Sequence, residues 1–162
     1  MKIHVEFKIA IVCLLITLAG CPNSSDATQH WANPQLAKAI AETAQMPTLA
    51  ELRKQLSDGS ITSENITAAY LLRIETLDRT GPSLRSFISL NPDALDQARA
   101  SDNRRLKNQT LGPLDGIPLA IKDNIETRDP IPTTAGSTAL INNFSTEDSP
   151  IVKNLRDAGA VI

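Results

Sequence analysis

GPLDGIPLAIKDN, residues 112–124, is the stretch that decides how this chain folds. Its first part, residues 112–116, combines glycine and proline and therefore predicts a turn. The apolar run that follows, residues 117–121, predicts a short buried strand. Lys122 comes directly after this run, where a charged side chain would have to leave water.

Lys122 is the residue of this stretch that is best suited to a catalytic role. Burial at the end of a strand disfavours the charged form of a lysine, and a lysine in that state can act as a base near neutral pH. The alternative is a structural role, in which Lys122 forms a salt bridge with Asp123 or with another carboxylate at the sheet edge. The residues alone favour the structural role.

The elements around this stretch are predicted from capping residues and apolar periodicity. Four helices are expected to begin at Thr48, at Thr62, at Asn91 and after Asp148, the last as the N-cap residue. A strand is predicted between the second and third helices, over residues 85–90.

The last part of the chain is predicted to contain a strand, a helix and a second strand. The strand at residues 117–122 is followed by the helix that opens at residues 148–150, and then by the start of a strand at residues 160–162. Strand, helix and strand in this order predict an α/β fold built around a sheet.

Composition excludes several classes of function. The 162 residues carry 16 Lys and Arg against 18 Asp and Glu, a net charge of −2, which does not suit a nucleic-acid partner. Beyond residue 20 the sequence contains one histidine, His30, and one cysteine, Cys21. A Ser–His–Asp site or a Cys/His metal cluster is therefore not expected.

Residues 1–20 predict a secretory signal peptide. Their apolar run, residues 9–18, is shorter than the roughly 20 residues that a membrane-spanning helix needs. The run leads into Leu-Ala-Gly-Cys at residues 18–21, which resembles the bacterial lipobox. The resemblance implies that Cys21 carries lipid and anchors the chain to a membrane of the bacterial cell envelope, facing the periplasm or the outer surface.

Two alternatives remain for this region: an ordinary secreted protein with a coincidental cysteine, or a buried first helix. Residues 21–46 are rich in Asn, Ser, Gln, Thr and Ala and predict a flexible tether.

Three motifs, in one consistent order, resemble the amino-terminal part of an amidase-signature enzyme. They are residues 112–124, the sequence TTAGS at residues 133–137, and residues 148–162. The resemblance implies an α/β fold with a mixed sheet flanked by helices. Residues 47–162 would form only the amino-terminal portion of that fold, a partial amidase domain.

The resemblance also implies an activity, the hydrolysis of a small-molecule or peptide amide. The family uses a Ser–cis-Ser–Lys triad and needs no metal or cofactor, and Lys122 matches the triad lysine. Both serines belong to a Gly/Ser-rich stretch that lies beyond the position of residue 162 in family members. We therefore expect the 162-residue chain to be inactive by itself.

Four further residues are candidates for orienting the Lys122 loop or contacting the substrate: Asp123, Asn124, Thr134 and Gly136. Asp123 and Asn124 could equally form a turn or a helix cap, and Gly136 can simply supply backbone freedom.

Two other functions stay open. One is a non-catalytic envelope lipoprotein that uses the domain for binding. The other is the catalytic component of a glutamine-dependent transamidase that works on charged tRNA, from which export would separate the chain. The oligomeric state is not predicted.

Overall fold

The structure of the protein is a computed structural model in which residues 46–162 are described. The predicted leader, the predicted lipidation site Cys21 and the predicted tether up to residue 45 lie outside the described residues. Within residues 46–162, no helix has the length and apolar character needed to cross a membrane.

Helices provide most of the regular structure in the described part. The α-helices are α1 at Leu49–Ser57, α2 at Ser63–Arg73, α3 at Ala94–Leu106 and α4 at Pro150–Asp157. A π-helix, Ile74–Thr80, continues directly from α2, and a short 3-10 helix covers Thr138–Leu140.

Local capping explains where α1 and α2 begin. The Thr48 hydroxyl accepts a hydrogen bond from the backbone N–H of Glu51, and the Glu51 carboxylate accepts one from the N–H of Thr48 at 2.7 Å. The Thr62 hydroxyl caps α2 by accepting the N–H of Asn65 at 3.1 Å. Both predicted helix starts are confirmed. They could be predicted from sequence because each cap joins residues only three positions apart.

Between α2 and α4, the predicted helix is confirmed with a later start, and the predicted strand is wrong. Helix α3 begins at Ala94 rather than at Asn91, because the Asn91 side chain accepts the N–H of Asp93 at 3.0 Å in a turn before the helix. Residues 85–90 form no strand, and Arg85 has a positive φ of 56°. Their backbone N–H groups bind Asp78 instead of a neighbouring strand, as described below.

The stretch 117–119 pairs with Val161 in a parallel arrangement. The N–H of Leu119 donates to the carbonyl of Val161 at 2.8 Å, and the N–H of Val161 donates to the carbonyl of Ile117 at 3.0 Å, so that Pro118 and Val161 form the bridge. The two predicted strands therefore meet in a single parallel bridge. The pairing is shorter than predicted, since it ends at Leu119.

Apolar packing joins this parallel pair to the helices on either side. One buried cluster connects α1 and α2 to the pair, and its members are Leu52, Leu56, Ile61, Ile66 and Ile117. A second cluster connects α4 to the pair through Val152, Ala160 and Ile162. Leu119 packs against both clusters, so the parallel pair lies between the two groups of helices.

Polar side chains of α3 fasten the turn at residues 112–116 in place. Asp102 caps α2 from another helix, because its carboxylate accepts the N–H of Ser63 at 2.7 Å. The Ser63 hydroxyl in turn donates to the carbonyl of Gly116 at 2.8 Å. Arg104 forms a 2.6 Å ion pair with buried Asp115. The start of the segment that carries Lys122 is thus held by two helices.

Candidate functional site

A cavity of about 680 Å³ lies beside the end of the parallel pair. Three segments supply most of its walls: residues 86–89, residues 120–125, and residues 131–133 with 135–136. Its volume falls within the range of roughly 300–1,000 Å³ that is common for small-molecule sites. Lys122 belongs to the wall that continues from the parallel pair.

Lys122 is exposed in this cavity, so the prediction that it is buried is wrong. The parallel pairing ends at Leu119, and both Ala120 and Lys122 therefore line the cavity instead of packing inside a sheet. Directly after the lysine the chain turns, since the N–H of Ile125 donates to the carbonyl of Lys122 at 2.9 Å.

Asp123 does not pair with Lys122, so that structural interpretation is also wrong. Its carboxylate accepts hydrogen bonds from the Thr134 hydroxyl, from the N–H of Thr134 at 3.0 Å and from the N–H of Gly136 at 3.1 Å. Its backbone carbonyl accepts the N–H of Ala135 at 2.9 Å. Within residues 46–162, no salt bridge involves Lys122.

These bonds make Asp123 the anchor of the loop at residues 134–136. The hydrogen bond from the Thr134 hydroxyl, followed by the one from its N–H, lowers the pKa of Asp123 below its usual value. The ionised carboxylate therefore holds a loop in which Ala135 and Gly136 have positive φ angles of 50° and 75°. Gly136 adopts the left-handed conformation easily, whereas Ala135 needs the surrounding bonds to stay there.

The structure thus brings the predicted site residues together. Lys122, Asp123, Asn124 and Gly136 line one cavity, and buried Thr134 binds Asp123 without lining it. Asp123 and Asn124 lie in a turn, and no helix begins at either residue. The roles proposed for these residues stay predictions. In the described part of the chain, no group of three or more His, Cys, Asp or Glu is placed to hold a metal ion.

Asp78 and the segment that it holds were not predicted. The side chain of Asp78, in the π-helix, is 4% exposed and accepts the N–H groups of Ser86 and Phe87. Burial alone would raise the pKa of Asp78, but hydrogen bonds from Ser86 and Phe87, together with the charge of Arg79, outweigh it and lower the pKa. An aspartate on an amphipathic helix gives no sequence signal for such a contact, and the apolar residues after it are typical of a strand.

Arg156 and its acidic partners were missed as well. The guanidinium of Arg156 binds Asp148 through Nε at 2.9 Å and Asp129 through Nη2 at 2.9 Å. The predicted N-cap role of Asp148 is therefore wrong, because Ser149 precedes α4 and the Asp148 carboxylate binds arginine instead. Gln97 of α3 donates to Asp129 at 2.8 Å, which joins this network to α3.

Comparison with known proteins assigns the family. A sequence profile of the amidase family matches residues 65–162. The chain is similar to a probable amidase of Arabidopsis thaliana, with 41% identity over 73% of this chain and 23% of that protein. It is also similar to a component of the glutamyl-tRNA(Gln) amidotransferase of Chloroflexus aurantiacus, with 45% identity over 71% of this chain and 23% of that component.

Solved structures agree with this assignment. The peptide amidase of Stenotrophomonas maltophilia superposes with a TM-score of 0.70 and 46% identity, over 75% of this chain and 24% of that one. An amidase family protein of Bacillus anthracis superposes with a TM-score of 0.75 and 33% identity, over 85% of this chain and 28% of that one. The chain belongs to the amidase family and has the α/β fold of its amidase-signature members. It spans about a quarter of the length of these relatives.

Proposed function

We propose that this chain supplies the lysine base of an amidase that hydrolyses the carbon–nitrogen bond of linear amides. The observation that carries the proposal is the position of Lys122, which follows the parallel pair and lines a cavity. Asp123 ties the following turn to residues 134–136, so the backbone next to the lysine is anchored on two sides.

The proposed chemistry follows from the triad that family resemblance implies. Lys122, in its unprotonated form, accepts a proton from the bridging serine, which takes one from the nucleophilic serine. The serine oxygen attacks the amide carbon, the carbon–nitrogen bond breaks, and the proton returns to the leaving ammonia or amine. Water then releases the acid from the acyl-enzyme. The two serines belong to the part of family members that follows the matched quarter.

A chimeric enzyme tests the role of Lys122. Residues 65–162 replace the corresponding segment of the Stenotrophomonas maltophilia peptide amidase, to which this chain is similar. We expect the chimera to hydrolyse peptide amides and Lys122→Ala to lower kcat by a factor of about 10³, within the range of a lost general base. Ammonia release measures the rate.

Lys153→Ala is the matched control, because Lys153 is an exposed lysine of α4 whose partner, Asp157, is also exposed. This variant should retain the rate of the unmodified chimera. A Lys122→Ala chimera that stays within tenfold of that rate would contradict the proposal. So would amide hydrolysis by the 162-residue chain alone that depends on Lys122, because the proposed mechanism needs both serines.

We also propose that the chain is a lipoprotein of the bacterial cell envelope. The apolar run at residues 9–18 and the lipobox-like residues 18–21 support this location. In a bacterial host fed an alkyne-labelled fatty acid, the chain should become labelled and move to the membrane fraction. Cys21→Ser should abolish the label, whereas Cys13→Ser should keep it. Equal labelling of both variants would contradict a lipid on Cys21.

The transamidase alternative rests on the similarity to the glutamyl-tRNA(Gln) amidotransferase component. A lipidated, exported chain would not meet charged tRNA, so the labelling experiment also separates these two functions. A chain that stays in the cytoplasm without label would favour the transamidase function.

A further inference from the structure

The cavity that Lys122 lines is mainly apolar. The larger apolar residues that line it are Phe87, Ile88, Ile121, Ile125, Ile131 and Pro132. Ile88 is 57% exposed although it is a large β-branched residue. An isoleucine exposed at a cavity wall leaves apolar surface that a bound molecule can cover.

The backbone of residues 85–87, which lead to Ile88, is held in place by the buried residue Asp78. The buried Asp78 carboxylate accepts the N–H groups of Ser86 and Phe87, one on each oxygen. The backbone carbonyl of Asp78 accepts the N–H of Arg85 at 3.1 Å. Before these bonds the chain passes through positive φ angles at Ser83 and Arg85, of 55° and 56°. The wall is therefore placed by a buried anchor and not by pairing in a sheet.

Charge further limits what the cavity can accept. Among the described residues that line it, Lys122 and Asp123 are the ones with ionisable side chains, and Asp123 is the carboxylate. Both carboxylate oxygens of Asp123 are already used by Thr134 and Gly136. A cationic side chain would find no free carboxylate in this cavity, and leaving water without a partner disfavours its binding.

We propose that residues 86–89 form the side-chain subsite of the amide substrate, with Ile88 selecting an uncharged apolar side chain and Asp78 acting as its positioning residue. The subsite rests on the proposed amidase function for its role, but not for its test. An amide whose apolar side chain lies on Ile88 would have its carboxamide in the cavity that Lys122 lines.

Binding to the full chain tests the subsite without any turnover. The isotope-labelled chain is titrated with N-acetyl-leucinamide, N-acetyl-glycinamide and N-acetyl-lysinamide, and amide chemical shifts are followed by NMR. Covering part of the leucine side chain should make the leucine amide bind about tenfold more tightly than the glycine amide. The shifts should be largest at Ile88 and Ser89, and the lysine amide should bind no better than the glycine amide.

Two variants separate selection from positioning. Ile88→Ala should reduce the preference for leucine over glycine about threefold or more, as expected for lost apolar contact. Ile141→Ala is the matched control, because Ile141 is 60% exposed and does not line this cavity. Asp78→Asn should also reduce the preference. Both ligands sample the same folded population, so lost stability alone leaves their ratio unchanged.

The subsite is overturned if no amide binds, if the lysine amide binds as tightly as the leucine amide, or if Ile88→Ala keeps the full preference. An unchanged preference in Asp78→Asn overturns the positioning role. Failure of the proposed function gives a different pattern, in which Lys122→Ala leaves the chimera active while the leucine preference and its loss in Ile88→Ala persist.

Discussion

At the scale of single residues, Arg156 joins parts of the chain that are far apart in sequence. Its side chain is 18% exposed, and the side chains of both partners, Asp129 and Asp148, are 6% exposed. Charges this far out of water are tolerated because each has a partner. The ion pairs connect α4 to the chain that follows the Lys122 turn.

Removing this arginine should therefore destabilise the fold strongly. Arg156→Met leaves buried Asp129 without its cation and leaves buried Asp148 only the longer, 3.5 Å pair with exposed Arg128. We expect the free energy of unfolding to fall by about 3–5 kcal/mol. Urea denaturation measures the loss. Lys153→Met, which breaks the exposed pair with Asp157, should change stability by less than about 1 kcal/mol.

A triple variant distinguishes the lost ion pairs from simple overpacking. Adding Asp129→Asn and Asp148→Asn to Arg156→Met removes the unpaired charges and should recover part of the stability. If the triple variant is no more stable than Arg156→Met alone, buried charge is not the cause of the loss.

The candidate site shows which residues sequence alone can identify. Lys122 was predicted because it stands at the end of an apolar run, and Asp123 and Gly136 because they stand in motifs that resemble the amidase-signature family. All three line the cavity. The Asp78 contact could not be predicted, because it joins the π-helix to backbone N–H groups eight and nine residues later. Burial of Lys122 was wrongly predicted, because the apolar run does not show where pairing stops.

At the scale of secondary-structure elements, local signals were reliable and long-range ones were not. Thr48 and Thr62 start their helices through bonds within one turn, so their positions follow from sequence. The predicted strand at residues 85–90 failed although its apolar pattern fits, because Asp78 binds its backbone instead. Whether an apolar run becomes a strand depends on a partner that its own residues do not reveal.

The end of α4 depends on a glycine for a reason that can be tested. Gly159 has a φ of 94°, and a Cβ at this position would lie 2.5 Å from the Cα of Asp115. The backbone at the end of α4 therefore lies directly against the turn at residues 112–116, with no room for a side chain between them. Gly159→Ala should therefore prevent the two segments from meeting and lower stability by well over about 2 kcal/mol.

Gly59→Ala provides the matched control, because Gly59 has a φ of 74° but open space around the added Cβ. This variant should lose only the conformational cost of about 1–2 kcal/mol. Thermal or urea unfolding compares the two. Equal losses would show that backbone conformation, and not the contact with Asp115, determines the effect of Gly159→Ala.

At the scale of the whole molecule, buried carboxylates that bind arginine link stability to pH. Burial would raise the pKa values of Asp115 and Asp148, but hydrogen bonds from Arg104 and Arg156, respectively, outweigh it and lower both. The unfolded chain therefore binds more protons than the folded chain in acid. Stability from these groups is present above their unfolded pKa of about 3.9 and is lost as pH falls through their lower folded values.

We expect the free energy of unfolding to fall steeply below about pH 4 as these carboxylates become protonated. Urea denaturation between pH 3 and pH 7 measures this dependence. Asp148→Asn should be less stable at pH 7 and should show a shallower fall in acid, since one of the responsible groups is gone. A variant with the same acid slope as the unmodified chain would exclude Asp148 as a contributor.

The proline in the parallel pair also affects how this molecule meets other copies of itself. The carbonyl of Ile117 and the N–H of Leu119 are used by Val161, so the polar backbone of Pro118 faces the opposite edge. Proline has no N–H to offer there. A strand from a second molecule would find the carbonyl of Pro118 as an acceptor but no N–H donor beside it. Edge-to-edge aggregation is therefore disfavoured at the segment that leads to Lys122.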